Sequence, residues 1–197
     1  MKMFNCRILT RDEIAFVYNA FMKQDFPSDE LKPLSMIMRS LDKGEYFCYG
    51  IFSGDKLCGY AYFVSIIMDE KQYCLLDYFA ILSDLRGQGT GSEFLHLLRE
   101  ELKNAEMVIC ESEDPVGTSG DELDIRQRRI AFYLRNHFID TGVKAEIFGV
   151  NYVLLELDSG RKHSEAETRN TYSRLYSSFL PEKLYRRFVR IRSILPF

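Results

Sequence analysis

Three glycines at alternate positions, in the stretch SDLRGQGTGSEFLHLL at residues 83–98, constrain the fold more than any other feature of the sequence. They stand between an apolar run, YCLLDYFAIL, and a segment whose apolar residues recur at helical spacing. Glycine weakens local order and brings no side chain to pack, so its repeated use indicates a place where bare backbone is required. The stretch predicts a buried strand that turns into a helix.

A structural turn and a phosphate-binding loop are the two interpretations of these glycines. A turn between a strand and a helix needs one glycine, sometimes two. A phosphate site explains all three, because backbone N–H groups at a helix start bind an anion and side chains would block its approach. A Walker A loop requires Gly-Lys-Ser/Thr, which is missing, and the dinucleotide fingerprint requires a glycine where Phe94 stands.

The remaining segments alternate between strand and helix patterns. Thr10 and Glu13 form a capping-box start, and further helices are predicted over residues 34–41, after the glycines and over residues 124–136. The predicted strands are FNCRILT, YFCYGIFS, KLCGYAYFVSIIM, QYCLLDYFAIL, MVICESE, AEIFGV and NYVLLEL. Antiparallel strands come first and a strand–helix–strand unit follows, which predicts an α/β domain around one mixed sheet.

Charge and cysteine usage bear on partners and compartment. The formal net charge of -3 combines +6 from residue 160 onward with -9 before it, and an acidic body attracts cationic ligands and repels nucleic acid. Five cysteines without a C-x-x-C pair indicate reduced thiols in the cytoplasm. No membrane span or signal peptide is expected, and the three histidines share no spacing that suits a metal.

The basic tail, residues 159–197, is predicted to be a helical extension. Its apolar residues recur at helical spacing on both sides of Pro181, with basic residues between them; they are Tyr172, Leu175, Tyr176, Phe179, Leu184, Tyr185, Phe188 and Ile191. Such a segment can dock by its apolar side, lie on an anionic membrane or bind nucleic acid. Docking on the chain's own acidic body, or on that of a second copy in a homodimer, is the preferred interpretation.

Two motifs carry a resemblance to a known family. R-x-x-G-x-G, formed by Arg86, Gly89 and Gly91, resembles the pyrophosphate-binding loop of the GNAT acyltransferase superfamily. About fifty residues on, RRIAFYLRNHFIDTG resembles the family's second motif, although His137 and Arg126 stand where many members have glycine and asparagine. The resemblance implies a GNAT fold over residues 1–158, with a mixed, mostly antiparallel sheet, splayed central strands and flanking helices.

The resemblance also implies transfer of an acetyl group from acetyl-CoA to an amine, without a metal. Family members grip the pantetheine with the backbone of a central strand, here Phe79, Ala80 and Ile81. A main-chain N–H near Ile81 would polarise the thioester carbonyl. The pyrophosphate would lie on backbone N–H groups of Arg86, Gly87, Gln88, Gly89, Thr90, Gly91 and Ser92.

Tyr133 occupies the family's tyrosine position and is predicted to stabilise or protonate the departing thiolate. Three carboxylates on predicted strands, Asp77, Glu111 and Glu113, are candidates for the base that takes the amine's proton. Each could equally bind the substrate's ammonium group or make a structural hydrogen bond, and the sequence does not choose among them.

Two other function classes remain. The first is a catalytically silent domain that binds acyl-CoA as a sensor, and the intact glycine motif and Tyr133 count against it. The second is a ribosome- or nucleic-acid-associated protein that uses the basic tail. For an enzyme, the acidic body favours a cationic amine such as an amino sugar, a polyamine, an amino acid or a peptide N-terminus.

Overall fold

The computed structural model describes residues 3–28 and 30–193. Its strands are β1 (Phe4–Ile8), β2 (Tyr46–Ser53), β3 (Lys56–Met68), β4 (Lys71–Ile81), β5 (Met107–Glu113), β6 (Phe138–Ile147), β7 (Val150–Leu157) and β8 (Val189–Ser193). Its helices are α1 (Arg11–Val17), α2 (Lys23–Asp25), α3 (Leu34–Asp42), α4 (Thr90–Glu101), α5 (Gly120–Arg135), α6 (Glu165–Phe179) and α7 (Glu182–Phe188). A π-helical segment, Tyr18–Met22, joins α1 to α2, and a 3₁₀ turn, Ser83–Leu85, precedes α4.

The strands form one mostly antiparallel sheet in the order β1-β2-β3-β4-β5-β7-β6-β8. The prediction of an α/β chain around one sheet is confirmed. Residue contacts divide the chain into two compact units: unit 1 spans residues 1–65 and 76–102, and unit 2 spans residues 66–75 and 103–197. Strands β3 and β4 contribute residues to both units. No helix in the described part of the chain is long and apolar enough to cross a bilayer.

The predicted capping box starts the first helix of unit 1. The Thr10 hydroxyl accepts the Glu13 N–H at 3.3 Å, and the Glu13 carboxylate accepts the Thr10 N–H at 2.8 Å. The hydrogen bond from Arg7, followed by the one from Thr10, lowers the pKa of Glu13 to about 2. The helix then widens into the π-helical segment, where Met22 is fully buried. The capping box therefore satisfies two backbone N–H groups at the start of α1.

The hairpin of β2 and β3 turns at the predicted Gly54, whose φ is +59°. Strand β3 brings Tyr60, Tyr62 and Phe63 into the core of unit 1. Glycine at position 59 permits a close approach, because an added Cβ would lie 2.7 Å from the Ala80 carbonyl oxygen. The carboxyl end of β4 is therefore held tightly against β3 at the place where the glycine stretch begins.

The structure corrects two predicted boundaries in unit 2. Helix α5 starts at Gly120, four residues before the predicted start, and β6 starts at Phe138 instead of Ala145. The β6–β7 hairpin turns at Phe148 and Gly149, whose φ values are +49° and +86°. Two successive residues with positive φ are typical of a type I′ turn, in which Asn-Gly is the usual pair. Because phenylalanine stands in the place of asparagine, the sequence pattern did not predict this turn.

The basic tail packs within unit 2 through α6. Ser164 and Glu167 form a capping box at its start, and Tyr172 and Leu175 are fully buried. Helix α7 buries no residue. The expectation that Ile191 continues a helical stripe is wrong: it lies in β8 and pairs with Ala145 of β6. Up to residue 193, where the described part of the chain ends, the tail forms two helices and a strand. The division of the chain after Asp158 stays a prediction.

Truncation after Asp158 should destabilise the protein, because it removes the side chains of α6 that fill the core of unit 2. We expect a lower melting temperature and aggregation, measured by calorimetry and light scattering. A truncated chain that stays monomeric, equally stable and equally active would show that the tail is an independent binding arm.

Two leucines of the tail provide a matched comparison. Leu175 is fully buried and Leu184 is 40% exposed. Leu175→Ala should lower the free energy of unfolding by about 2–5 kcal/mol, and Leu184→Ala by less than about 0.5 kcal/mol. Equal effects in denaturant titrations would contradict the docking of α6 by its apolar face.

Candidate functional site

The loop at residues 86–92, here called the glycine loop, has the backbone geometry of an anion site. Gly87 and Gly89 have φ values of +74° and +83°, and a Cβ added at either would meet nothing within 4 Å. Glycine is therefore required at both positions by backbone conformation and not by packing. Helix α4 starts at Thr90, inside the glycine loop, with Gly89 as its N-cap.

The first turn of α4 presents three N–H groups. The first helical hydrogen bond runs from the Glu93 N–H to the Gly89 carbonyl, at 3.1 Å. The N–H groups of Thr90, Gly91 and Ser92 consequently have no acceptor within the helix, and the helix dipole adds positive potential there. The geometry suits a phosphate or another anion without any lysine.

Arg86 attaches the glycine loop to the rest of unit 1. Its Nε donates to the Ile81 carbonyl at 2.8 Å, and one Nη lies 2.6 Å from the Asp25 carboxylate. Its backbone N–H contacts the Ser83 carbonyl at 3.4 Å. The side chain of the motif's first residue is thus turned towards the protein.

The predicted pantetheine strand is the carboxyl end of β4. Ala80 and Ile81 are buried, and the ring of Phe79 stacks on Phe94 of α4 at 5.4 Å between centroids. The strand and the helix that flank the glycine loop are therefore packed on each other.

Asp77, a candidate base, already has two partners in unit 1. The Tyr46 hydroxyl and the Lys32 ammonium both donate to its carboxylate. The Asp77 side chain is 8% exposed. Two tyrosine hydroxyls hold the backbone of Lys32 in place. The Lys32 N–H donates to the Tyr78 hydroxyl at 2.8 Å, and the Lys32 carbonyl accepts from the Tyr18 hydroxyl at 2.9 Å. Burial, and then the charge of Asp77, raise the pKa of the Tyr46 phenol well above its usual value. Each oxygen of this carboxylate therefore already accepts from a donor.

Glu111, on β5 in unit 2, accepts hydrogen bonds from two tyrosines of the tail. The Tyr176 hydroxyl lies 2.6 Å from Glu111 Oε1, and the Tyr172 hydroxyl donates to the same oxygen. Burial, and then the charge of Glu111, raise the pKa of Tyr172 well above its usual value, so this phenol remains a donor. The sequence did not predict that these tyrosines contact Glu111, because the tail lies outside the resemblance. Their helical spacing indicated only that they face inward.

Glu113 is held by two arginines of α5. Arg129 lies 2.9 Å and Arg126 3.1 Å from its carboxylate. Arg126 also pairs with Glu122 at 2.6 Å and donates to the Asp114 carbonyl at 2.8 Å. The residue that replaces the family's asparagine is therefore used to hold α5 and β5 together.

Tyr133 is 7% exposed on α5. Its ring makes edge contacts with Phe132 and Phe138, at centroid distances of 5.4 and 5.1 Å. Burial, and then its hydrogen-bonded neighbour Cys110, raise the pKa of the phenol well above its usual value, so it remains a donor. Nearby His137 has a φ of +65°, a conformation that explains the family's usual glycine at this position.

The predicted site residues form two sets, each described within its own unit. Unit 1 contains Asp77, the end of β4 and the glycine loop, and unit 2 contains Glu111, Glu113 and Tyr133. In the described residues, no group of three or more histidine, cysteine, aspartate or glutamate side chains could hold a metal ion. The roles of all these residues stay predictions.

The family is decided by a match that includes the glycine loop. The family model described as the acetyltransferase (GNAT) family matches residues 14–118, just over half of the chain. The chain belongs to the GNAT acetyltransferase family. No curated protein sequence matches this GNAT chain.

Solved structures of GNAT proteins share the fold. A putative GNAT acetyltransferase from Bacteroides thetaiotaomicron has a TM-score of 0.66 at 21% identity, covering 88% of this chain and 96% of that one. The ribosomal-protein-S18-alanine N-acetyltransferase of Escherichia coli has a TM-score of 0.58 at 15% identity, with coverages of 82% and 97%. A mutant spermidine N-acetyltransferase, SpeG, from Vibrio cholerae has a TM-score of 0.57 at 13% identity, with coverages of 78% and 92%.

Gly89→Val should weaken acetyl-CoA binding by well over tenfold, more than about 1.4 kcal/mol, because a β-branched side chain disfavours a positive φ and would occupy the anion site. Gly91→Val should do the same by blocking the site alone. Isothermal titration calorimetry measures both affinities.

Gly44→Val is the matched control for backbone strain. Gly44 also has a positive φ, +72°, and an added Cβ there meets nothing within 4 Å. It lies between α3 and β2, outside the glycine loop. If a folded Gly89→Val protein binds acetyl-CoA as tightly as the Gly44→Val protein does, the assignment of the glycine loop is wrong.

Proposed function

We propose that the protein transfers the acetyl group of acetyl-CoA to a primary amine of a cationic acceptor by direct attack of the amine on the thioester. The observation that carries this proposal is the first turn of α4, where the left-handed Gly87 and Gly89 lead into three N–H groups without helical acceptors. Membership of the GNAT family supports the same reaction class.

The residues present fit the acyl donor. Its pyrophosphate is an anion, and the glycine loop supplies donors, a helix dipole and open space above two glycines. The thioester of acetyl-CoA supplies an activated acyl group. By the resemblance, the backbone of Phe79, Ala80 and Ile81 orients the pantetheine, and an N–H near Ile81 donates to the carbonyl oxygen as it becomes negative.

In the proposed step, the neutral amine nitrogen forms a bond to the thioester carbon, and the carbon–sulfur bond breaks. The products are an acetamide and the thiol of CoA. The amine's proton goes to a carboxylate or to water, and the thiolate accepts a proton. Tyr133 is proposed as the donor to that sulfur, because its buried phenol stays protonated.

Asp77, Glu111 and Glu113 remain the candidates for the base. Each is engaged: Asp77 by a lysine and a phenol, Glu111 by two phenols and Glu113 by two arginines. With these partners already in place, the amine's proton is proposed to reach a carboxylate directly or through a water molecule. Comparing Asp77→Asn, Glu111→Gln and Glu113→Gln by the pH dependence of kcat/KM would identify the group that titrates.

The acceptor is proposed to be cationic because the chain before residue 160 carries a formal charge of -9. The names of two similar structures, a ribosomal-protein-alanine and a spermidine N-acetyltransferase, support an amine on a peptide or a small molecule. We place the acetyltransferase domain at residues 1–158, with residues 159–197 as its extension. The free cysteines, four of them buried, support the cytoplasm as the compartment.

The experiment that tests the function measures thiol release from acetyl-CoA in the presence of an amino sugar, a polyamine, free amino acids and short peptides. Turnover with at least one amine is expected, with mass spectrometry showing the acetamide. Acetyl-CoA binding without turnover on any amine would favour a sensor instead. A salt-sensitive shift of RNA without turnover would favour the nucleic-acid alternative.

Tyr133→Phe keeps the ring and removes only the hydroxyl. If the phenol assists departure of the thiolate, kcat should fall by about 10²-fold, with KM for acetyl-CoA nearly unchanged. Tyr185→Phe is the matched control, since the Tyr185 hydroxyl bonds Ser173 at 2.7 Å within the tail. Unchanged kcat in the Tyr133 variant, under conditions where chemistry limits the rate, would leave Tyr133 with a packing role only.

A further inference from the structure

Asp25, the last residue of α2, lies between the glycine loop and the core of unit 1. One carboxylate oxygen, Oδ1, lies 2.6 Å from Nη2 of Arg86, and the other, Oδ2, accepts the Tyr60 hydroxyl at 2.7 Å. The Asp25 side chain is 16% exposed. Asp25 stands outside both sequence motifs, so the resemblance gives it no role.

Tyr60 fixes the Asp25 carboxylate from the inside. Tyr60 lies on β3 and is fully buried. Burial, and then the hydrogen bond to Asp25, raise the pKa of the phenol well above its usual value, so it stays a donor. A carboxylate that receives a buried phenol on one oxygen and an arginine on the other has little freedom to rotate.

Arg86 connects the Asp25 carboxylate to the glycine loop. Its guanidinium donates to Asp25 and to the Ile81 carbonyl at the end of β4, so two points of unit 1 determine where it lies. The backbone of Arg86 leads directly into Gly87. An exposed arginine–carboxylate pair often contributes nothing measurable, but a network with a partly buried carboxylate is the exception.

The π-helical segment Tyr18–Met22 explains how Asp25 comes to face this network. A π-turn spans one residue more than an α-turn, so it rotates the following residues relative to α1. Met22, the last residue of the segment, is fully buried, and Asp25 follows three residues later. Such segments occur often at functional sites, and here the segment leads directly to the attachment of the glycine loop.

We propose that Asp25 is a positioning residue for acetyl-CoA binding: through Arg86 it holds the glycine loop in the conformation that presents the N–H groups of α4. This inference rests on the proposed function for the identity of the ligand. It does not require Arg86 to contact the pyrophosphate with its side chain.

The first test measures acetyl-CoA affinity by calorimetry for the wild type and for Asp25→Asn, which keeps an acceptor for Tyr60 and removes the charge. Affinity should fall by about tenfold, with the melting temperature nearly unchanged. Asp42→Asn is the control, because Asp42 forms an exposed ion pair with Arg11 away from the glycine loop. The affinity of this variant for acetyl-CoA should stay at the wild-type value.

A double-mutant cycle separates action through Arg86 from a general loss of structure. Arg86→Gln should weaken binding, and adding Asp25→Asn to it should cause little further loss. Independent, additive losses would overturn the proposal, and so would wild-type affinity in a folded Asp25→Asn protein.

Hydrogen exchange tests the attachment without any ligand. Amide exchange at residues 86–89, followed by mass spectrometry on the ligand-free protein, should be faster in Asp25→Asn than in the wild type and in Asp42→Asn. If the wild type does not bind acetyl-CoA, the proposed function fails while this measurement still decides whether Asp25 holds the loop. Unchanged exchange in Asp25→Asn would overturn the inference on its own.

Discussion

Gly87 and Gly89 hold left-handed backbone conformations between the end of β4 and the start of α4, and the candidate site depends on this constraint. A residue with a Cβ would be strained at either position, although neither position is crowded. Such a loop needs support from outside itself, because glycine lends it no side-chain contacts. Here the support comes from the packing of Phe79 on Phe94 and from the hydrogen bonds of Arg86.

The three candidate carboxylates show how a chain can keep acidic groups in partly buried places. A charged group is costly to bury unless hydrogen bonds or opposite charges replace its water. One phenol and a lysine contact Asp77, two phenols contact Glu111, and two arginines contact Glu113. The three groups are thus compensated by different partners, which come from segments that lie far apart in the sequence.

Local patterns predicted most of the elements, and long-range pairing accounts for what they missed. The capping box at Thr10 and the glycine stretch depend on neighbouring residues, so both could be read from the sequence. Ile191 belongs to a strand because it pairs with Ala145, and helical spacing alone could not show this. The partners of the candidate site residues, such as Lys32 on Asp77, are likewise determined by tertiary contacts between distant segments.

The connection between α2 and α3 has an ion pair near each of its ends. Asp25, just before it, pairs with Arg86 of the glycine loop, and Lys32, near its end, pairs with Asp77. Under the proposed function, an acceptor amine that displaced Lys32 from Asp77 would release one end of a connection whose other end is joined to the glycine loop. Thermodynamic linkage requires that two ligands which disturb a shared element change each other's affinity by the same factor. Under the proposed function, the short connection between α2 and α3 would thus couple the binding of donor and acceptor.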